Sequence, residues 1–470
     1  MSEELPQSGS QMRSEVANDG GDLLLEPLLL RAETPASPPH CIEQNGGTSI
    51  PGSVILLAKA IVGAGSAALP LAFARLGSIF SVSFLLLIAF MTHFSIEALT
   101  MGIITSQKPS YPAAVHSLLG SRHGAFLELC LVLRCAGLMI VYIVISADLL
   151  AGSKALPGII CEVFNVSWCS DRYLVSGVLT VLVLVPLVTP KRLSSATLAS
   201  IAGLSSVVLW TVVTAAVAIT TSVKGISFKP SWLPDSEALG GGSVSLQTVT
   251  ALATLPVIAT AFTCQMTVAF IINELRGGFS THRITLVSSV AVSLCTAVFL
   301  IIGMGSITAF SPKGIPADIL ELFSAGALEG IIGSEIVAKI IGISVRLGFM
   351  VSILANMPLQ MLPFRQSLAR LVFRGDQEFS GLGYYGVTYG SVVAFYFIAM
   401  AARSIWVPIQ LVGATAGAAI AFFYPALVAL NVDNSMANSN YWRVNAWGLI
   451  IIGIVQVLTG VSAVLFIPGS

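Results

Sequence analysis

A run of about twenty apolar residues can cross a bilayer as a single helix, and this chain carries such runs almost end to end. They fall near 53–76, 79–103, 125–153, 173–189, 196–222, 247–272, 284–310, 334–362, 384–402, 404–430 and 445–467. That makes about eleven transmembrane helices. Lipid cannot satisfy backbone N–H and C=O groups, so runs of this length must satisfy them internally, as helices do. Only 10% of the 470 residues are charged, against roughly 25% in soluble domains. Mean hydropathy is +0.89. The expectation is an all-α polytopic membrane protein whose medium is the lipid bilayer. Lys+Arg and Asp+Glu balance at 23 each, so no basic face points to nucleic acid. Connections reach only about 20–25 residues, which leaves no room for an inserted soluble domain.

Residues 1–50 have a different composition. They are rich in Ser, Glu, Asp, Gly and Pro, with too little apolar surface to form a core, and read as a disordered cytosolic N-terminal tail. The membrane domain is expected over 51–470. The stretch Leu23–Leu30 is interrupted by Glu26 and Pro27 and has no basic segment before it, unlike a signal peptide. Asp22 with Leu28-Leu29 resembles an acidic dileucine sorting signal for lysosome-like or vacuolar membranes. A plasma-membrane location stays open.

With that tail in the cytosol, inner loops hold ten Lys/Arg, from Lys108 to Arg443, and outer loops hold seven, from Arg75 to Arg403. The bias has the sign expected of a positive-inside protein. The sequon at Asn165 lies in a loop that this orientation places outside or in a lumen, where it would be glycosylated. Cys161 and Cys169 bracket it and read either as two free thiols or as a disulfide. An odd helix count then puts the C-terminus on that same side.

Two spans are irregular. The first, "AKAIVGAGSAALPLAF", carries Lys59, the segment Gly63-Ala64-Gly65-Ser66, and Pro70. Five spans later, "TLPVIATAFTCQMTVAFIINEL" carries Pro256, Thr260, Thr263, Cys264, Gln265 and Thr267. Transporters commonly consist of two repeats of opposite topology, each with an interrupted helix. These positions fit a 5+5 inverted repeat plus one extra helix. Unwound backbone exposes amides at one half-helix end and carbonyls at the other, suited to a carboxylate and to an ammonium or cation. An α-amino acid carries both charges. The same small residues would also suit close helix packing.

"AIVGAGSAALPLAFARLG" (60–77), "FTCQMTVAFIINEL" (262–275), "MPLQMLPFRQSL" (357–368) and "LVGATAGAAIAFFYPAL" (411–427) resemble stretches of the amino acid/auxin permease family. That family contains sodium-coupled neutral amino acid transporters and vacuolar amino acid permeases. The resemblance runs in order from about residue 50 to 467 and implies a LeuT-like fold and secondary active transport of small neutral amino acids, without a cofactor. It implies a substrate held by Gly63, Ala64, Gly65 and Ser66, with Thr260, Thr263 and Cys264 completing the pocket.

Two departures from the family stand out. Where sodium-coupled members have an asparagine before the first break, this chain has Lys59. Asn356 matches the neighbourhood of the other side-chain sodium ligand. An ammonium cannot ligate Na⁺, but it can occupy the cation's place, fixed or alternating with the amine. This favours a proton, or exchange, over Na⁺ as the coupling partner. The competing reading is that Lys59 snorkels to the cytosolic interface. The second departure is Gln265, where many relatives have histidine.

A charge at mid-span costs about 2.5–3.5 kcal/mol and calls for a partner or a role. His93 and Glu97 lie four apart on one helix face, as a proton relay or in a structural pair with Arg134. Asp148 falls near the outer end of its span. Lys339 and Arg346, seven apart in the eighth span, would join the cation site or a gate, or line a wet vestibule. Glu274 reads as a gate or as a plain helix-end charge. The runner-up function is an amino acid-sensing, transporter-like receptor signalling through the tail. A channel would need rings of polar residues. An enzyme would need a catalytic or metal constellation, and the sequence offers neither.

Overall fold

A computed structural model describes residues 48–466 except 64, 154–156, 165, 192–195, 235, 237, 238, 240–242, 276–280, 312–314, 317, 318, 374–378, 402–411 and 433–439. The expected tail up to residue 47, the expected substrate contact at Ala64 and the sequon at Asn165 lie outside the described residues. The rest belongs to one compact unit, His40–Ser470.

Among the described residues, nine helices are long and apolar enough to cross a membrane, ten when one bent pair counts as a span. That pair is α1 (Ile50–Ile61) and α2 (Gly65–Leu76), set at 58° to each other. Ser49 accepts the N–H of Gly52 and Pro51 fills the first turn, which starts α1 cleanly. Its end is Val62, with extended backbone. Then come α3 (Ser78–Ser106), the short α4 (Tyr111–Leu119), α5 (Ser121–Ala151) and the loop helix α6 (Ile159–Phe164). The fourth expected span is shorter than the rest. It is α7 (Arg172–Val188), about 25 Å long, with a π-helical turn at Thr180–Leu184.

Next follow α8 (Thr197–Val223), α9 (Val244–Ala261) and α10 (Gln265–Glu274). The last two form the second broken span, interrupted at Phe262–Cys264. The remainder is α11 (Thr281–Ala309), α12 (Ala325–Ile332), α13 (Glu335–Phe373), α14 (Gly381–Ala401), α15 (Gly413–Asn431) and α16 (Asn440–Phe466). The helix α15 begins with two π-helical segments, Gly413–Gly417 and Ala419–Phe423, before Pro425. The 39 residues of α13 span about 58 Å, nearly twice a hydrocarbon core.

The core is built around the two breaks. α13 lies against α5 and α8, α1 packs on α11 and α8, and α9 packs on α16 and α2. Gly303 lets Phe73 approach, since a Cβ there would sit 2.8 Å from its ring. Large apolar side chains such as Phe90, Leu133, Val212 and Phe397 are exposed around the outside, as lipid-facing surface requires. On the face where α1 begins, the near side, Thr48 N–H donates to Glu274 O (2.7 Å), tying the first broken span to the second. There too Arg365 donates to the carbonyls of Val188 (3.0 Å) and Pro190 (2.9 Å) and stacks on Tyr384, joining α7, α13 and α14.

On the opposite, far side, Cys161 and Cys169 form a disulfide with 5.1 Å between Cα atoms. Of the two readings left open for these cysteines, the bridged one holds in this structure.

Candidate functional site

The α1 break frees the carbonyl of Val62, and two polar side chains, Lys59 and Asn356, donate to it. Lys59 Nζ donates to Val62 O at 2.8 Å and to Ser352 Oγ at 3.0 Å. Asn356 Nδ2 donates to the same carbonyl at 3.0 Å. Lys59 has no exposed surface, so it turns inward, and the snorkelling alternative does not hold. Ser352 and Asn356 are four apart on α13 and therefore share a face. Gly203 makes the arrangement possible: a Cβ there would stand 2.6 Å from Lys59 Cε and 2.7 Å from Ala355 Cβ. The Asn356 amide presents its NH₂ to Val62, while its Oδ1 is buried without a partner.

Beyond Val62 the backbone turns. Gly63 O accepts the hydroxyl of Ser66 at 2.7 Å and its N–H at 3.1 Å, so Ser66 satisfies the carbonyl left free at the break. A Cβ on Gly63 would lie 2.9 Å from the Tyr142 hydroxyl and 3.3 Å from Asn356 Nδ2. On Gly65 it would meet the backbone of Ala261 at 3.2 Å. A side chain at 65 would force the two broken spans apart by a few tenths of an ångström at that point.

The second break has its own cap. Gln265 Oε1 accepts the N–H of Cys264 at 3.0 Å and its Nε2 donates to Ser95 Oγ at 3.2 Å. Ser95 in turn donates to Ala421 O at 2.7 Å. Gln265 therefore anchors the break to α3 and to the π-helical part of α15. The fully buried Cys264 and the buried Thr263 line the junction, and Thr263 Oγ1 has no hydrogen-bond partner among the described residues. Thr260 points elsewhere: its Oγ1 accepts from Gln456 Nε2 at 3.3 Å, and Gly413 packs against it. It faces α15 and α16 rather than joining Thr263 and Cys264.

The other charges separate from this centre. His93 and Glu97 pair at 3.4 Å, and His93 Nδ1 lies 3.0 Å from Ser288 Oγ; Arg134 is not their partner. Asp148 pairs with Arg172 at 3.0 Å. Lys339 is exposed at the far end of α13. Arg346 is fully buried and engages the Glu162 carboxylate, Pro157 O (3.1 Å) and Gly342 O (3.2 Å). Neither reaches Val62, so neither joins the cation position; Arg346 instead ties the far-side loop to α13. On the near side, Glu128 of α5 and Arg370 of α13 pair at 3.3 Å. Arg370 lines both a cavity of about 160 Å³, with Tyr111, Leu131, Met266 and Asn273, and a neighbouring one of about 710 Å³, with Lys108, His116 and Glu128.

Ser352, Gly203 and Tyr142 escape notice in the sequence. Ser352 had a signal, since Ser and Asn at i,i+4 in an apolar span mark a polar face. Gly203 and Tyr142 are ordinary residues in ordinary spans, and only their contacts distinguish them.

Two interrupted helices thus meet inside the bundle, with glycine-mediated contact and polar side chains converging on the breaks. Solved structures agree on the fold. MhsT in complex with L-phenylalanine superposes with a TM-score of 0.53 over 88% of this chain and 98% of that one, at 14% identity. A manganese transporter mutant from Eremococcus coleocola gives 0.56 over 89% and 88%, at 13% identity. Residues 46–466 match the family described as transmembrane amino acid transporter protein, and the chain belongs to that family. Among its relatives, amino acid transporter AVT6E of Arabidopsis thaliana is 26% identical over 90% of this chain and 84% of its own length. Vacuolar amino acid transporter 6 of Saccharomyces cerevisiae is 25% identical over 70% and 68%.

Proposed function

We propose that this chain is a secondary active carrier of amino acids, coupled to protons or exchanging, with Lys59 standing where sodium-coupled relatives hold a cation. The observation that carries the reading is the placement of Lys59 Nζ on Val62 O and Ser352 Oγ. A carbonyl from unwound helix and a hydroxyl from a facing helix are the oxygen ligands a small hard cation would take. Here an amine takes them instead. The two acceptors answer the two N–H bonds of an uncharged amine and leave one N–H of an ammonium without an acceptor among the described residues. The group is thus built to hold either form. The Asn356 amide donates its NH₂ to the same Val62 carbonyl that Lys59 engages.

In this reading the substrate's α-amino and α-carboxylate groups lie at the breaks of α1–α2 and α9–α10, against Gly63, Gly65, Ser66, Thr263 and Cys264. The helix order fits two inverted repeats of five with α16 as the extra helix, counting α1–α2 and α9–α10 as single spans and α7 as a short one. The near side is then cytosolic. The disulfide-bearing far side is lumenal, consistent with a vacuolar or lysosome-like membrane and with the vacuolar names of several relatives. Amino acid uptake into proteoliposomes under separate pH and Na⁺ gradients tests the proposal, with Lys59→Asn alongside. Uptake driven by pH in the wild type, and lost or turned sodium-dependent in the variant, is expected. Sodium-driven uptake in the wild type would overturn it.

A further inference from the structure

The near-side cavity of about 710 Å³ lies between α4, the start of α5 and the end of α13, and the carrier reading gives it no role. Its charges do not balance. Lys108, Arg122 and Arg370 line it against one carboxylate, Glu128, and Glu128 pairs with Arg370 at 3.3 Å. Neither Lys108 nor Arg122 has an ion pair or a side-chain hydrogen bond among the described residues. His116 adds its ring nitrogens to the same wall. Two cations are thus left over. Exposed Lys and Arg are ordinarily just solvated, so it is their placement that carries meaning here.

Gly124 brings α4 onto the first turn of α5, since a Cβ there would stand 2.8 Å from His116 Cβ. Gly120 caps that turn without a side chain, so the first amides of the 31-residue α5 stay available beside Ser121 and Arg122 on the cavity wall. Those amides and the helix dipole add to the positive field. Arg122 also heads a lipid-facing stripe. Ala125, Phe126, Leu129 and Leu133 follow it at three- and four-residue spacing, which is one face of a helix. Phe126, Leu129 and Leu133 are 55%, 44% and 53% exposed. Ala125 belongs to both the stripe and the cavity wall. From Arg122 to Leu133 the face runs about 16 Å, roughly one leaflet's share of the hydrocarbon core.

A molecule that fits has two negative charges at its polar end and hydrocarbon at the other. We infer that this cavity receives the headgroup of a phosphoinositide, with the acyl chains lying along Phe126, Leu129 and Leu133. A phosphomonoester carries about −1.5 to −2 charge at neutral pH and three acceptor oxygens, which matches Lys108 and Arg122 together. The remaining phosphodiester charge falls to the first amides of α5. A headgroup with a single net negative charge, such as phosphatidylserine's, would leave one cation unanswered. Anionic lipids of this kind belong to the cytosolic leaflet and draw basic residues to it. The bound headgroup would not be remote from transport: Asn273 of α10 donates to Pro109 O at 2.6 Å, one residue from Lys108. The inference takes from the carrier reading only the cytosolic placement of the near side. No cargo or coupling ion enters it, so its failure leaves that reading standing.

Phosphatidylinositol and its monophosphate differ by one phosphomonoester, so their ratio is the readout. Binding of fluorescent short-chain forms of both to the purified full-length chain is followed by anisotropy, with the soluble inositol bisphosphate headgroup as a third probe. The monophosphate should bind at least about tenfold tighter than phosphatidylinositol, as expected for charge-assisted hydrogen bonds. Lys108→Gln with Arg122→Gln should weaken it roughly thirtyfold and remove most of that advantage. Lys191→Gln with Arg443→Gln takes the same charge from the near side outside the cavity, and should change the affinity less than about twofold, because distant exposed charges are screened. Equal binding of the two lipids by the wild type would overturn the inference. So would an equal loss in both double variants, which would reduce the effect to general surface charge. A soluble headgroup that binds as tightly as the lipid would overturn the lipid assignment in favour of a free phosphate compound. All four substituted side chains are exposed, and melting temperature checks the fold of the variants. If the first double variant does not fold, the wild-type ratios alone decide.

Discussion

Gly203→Ala tests where the Lys59 side chain goes without touching any group that binds. The added methyl would stand 2.6 Å from Lys59 Cε and 2.7 Å from Ala355 Cβ, both well inside contact distance. Ala355 is held in α13, so the lysine stem must shift, and its two hydrogen bonds to Val62 and Ser352 go with it. Overpacking of this kind costs about 1–3 kcal/mol, a factor of roughly 5 to 150 in a two-state equilibrium. The assay is the apparent melting temperature of the purified protein in detergent, alone and in a double-mutant cycle with Lys59→Ala. Removing the lysine stem eliminates one of the two clashes, so the cost of Gly203→Ala should fall by at least about 1 kcal/mol in that background. Proton-driven uptake should fall in Gly203→Ala as well. An equal cost of Gly203→Ala in both backgrounds would refute the reasoning, because it would mean that Lys59 does not lie beneath residue 203.

Four further outcomes follow from contacts elsewhere. Ser352→Ala takes one of two acceptors from Lys59, and should cost about 1–3 kcal/mol in thermal or denaturant unfolding, with Ser352→Thr restoring most of it. Glu162→Ala strands the fully buried Arg346 and should destabilise by about 3–5 kcal/mol. Breaking the eight-residue Cys161–Cys169 loop should cost only about 2–3 kcal/mol on loop-entropy grounds; melts of the three single variants decide the order. Gln265→Ala uncaps the second break and should cost about 1–3 kcal/mol, whereas Gln265→Glu, which keeps the acceptor for Cys264 N–H, should cost less.

The spans were legible because lipid demands long apolar helices, and the first break because Gly63 and Gly65 contradict that demand locally; Pro256 sits within α9, and the second break falls six residues beyond it, at Phe262–Cys264. The family resemblance pairs Lys59 with Asn356, and both donate to Val62 O. What sequence could not supply was direction. Thr260 and Thr263 look equivalent in the sequence, yet one faces α16 and the other the junction. Arg346 and Lys339 share a helix with Asn356, but about three turns and about five turns carry them to the far-side loop and to the surface. Arg134 looked like a partner for Glu97 because both lie at mid-span; which face of α5 it occupies is decided by packing against α10 and α15. The shortness of α7 and the π-helical start of α15 also depend on neighbours, such as the Gln456 side chain that takes up Gly413 O at 2.9 Å.

Lys59 belongs to the same helix as the carbonyl it serves, only three residues away. A dissolved cation must be captured from one compartment and given up to the other, and its occupancy follows its concentration. A tethered amine has a very high effective concentration at its own acceptor, set by chain geometry and not by the bath. It neither arrives nor departs; only a proton can. The amine's hold on Val62 O is therefore set by the fold and not by the concentration of a bathing cation, and the amine moves with α1.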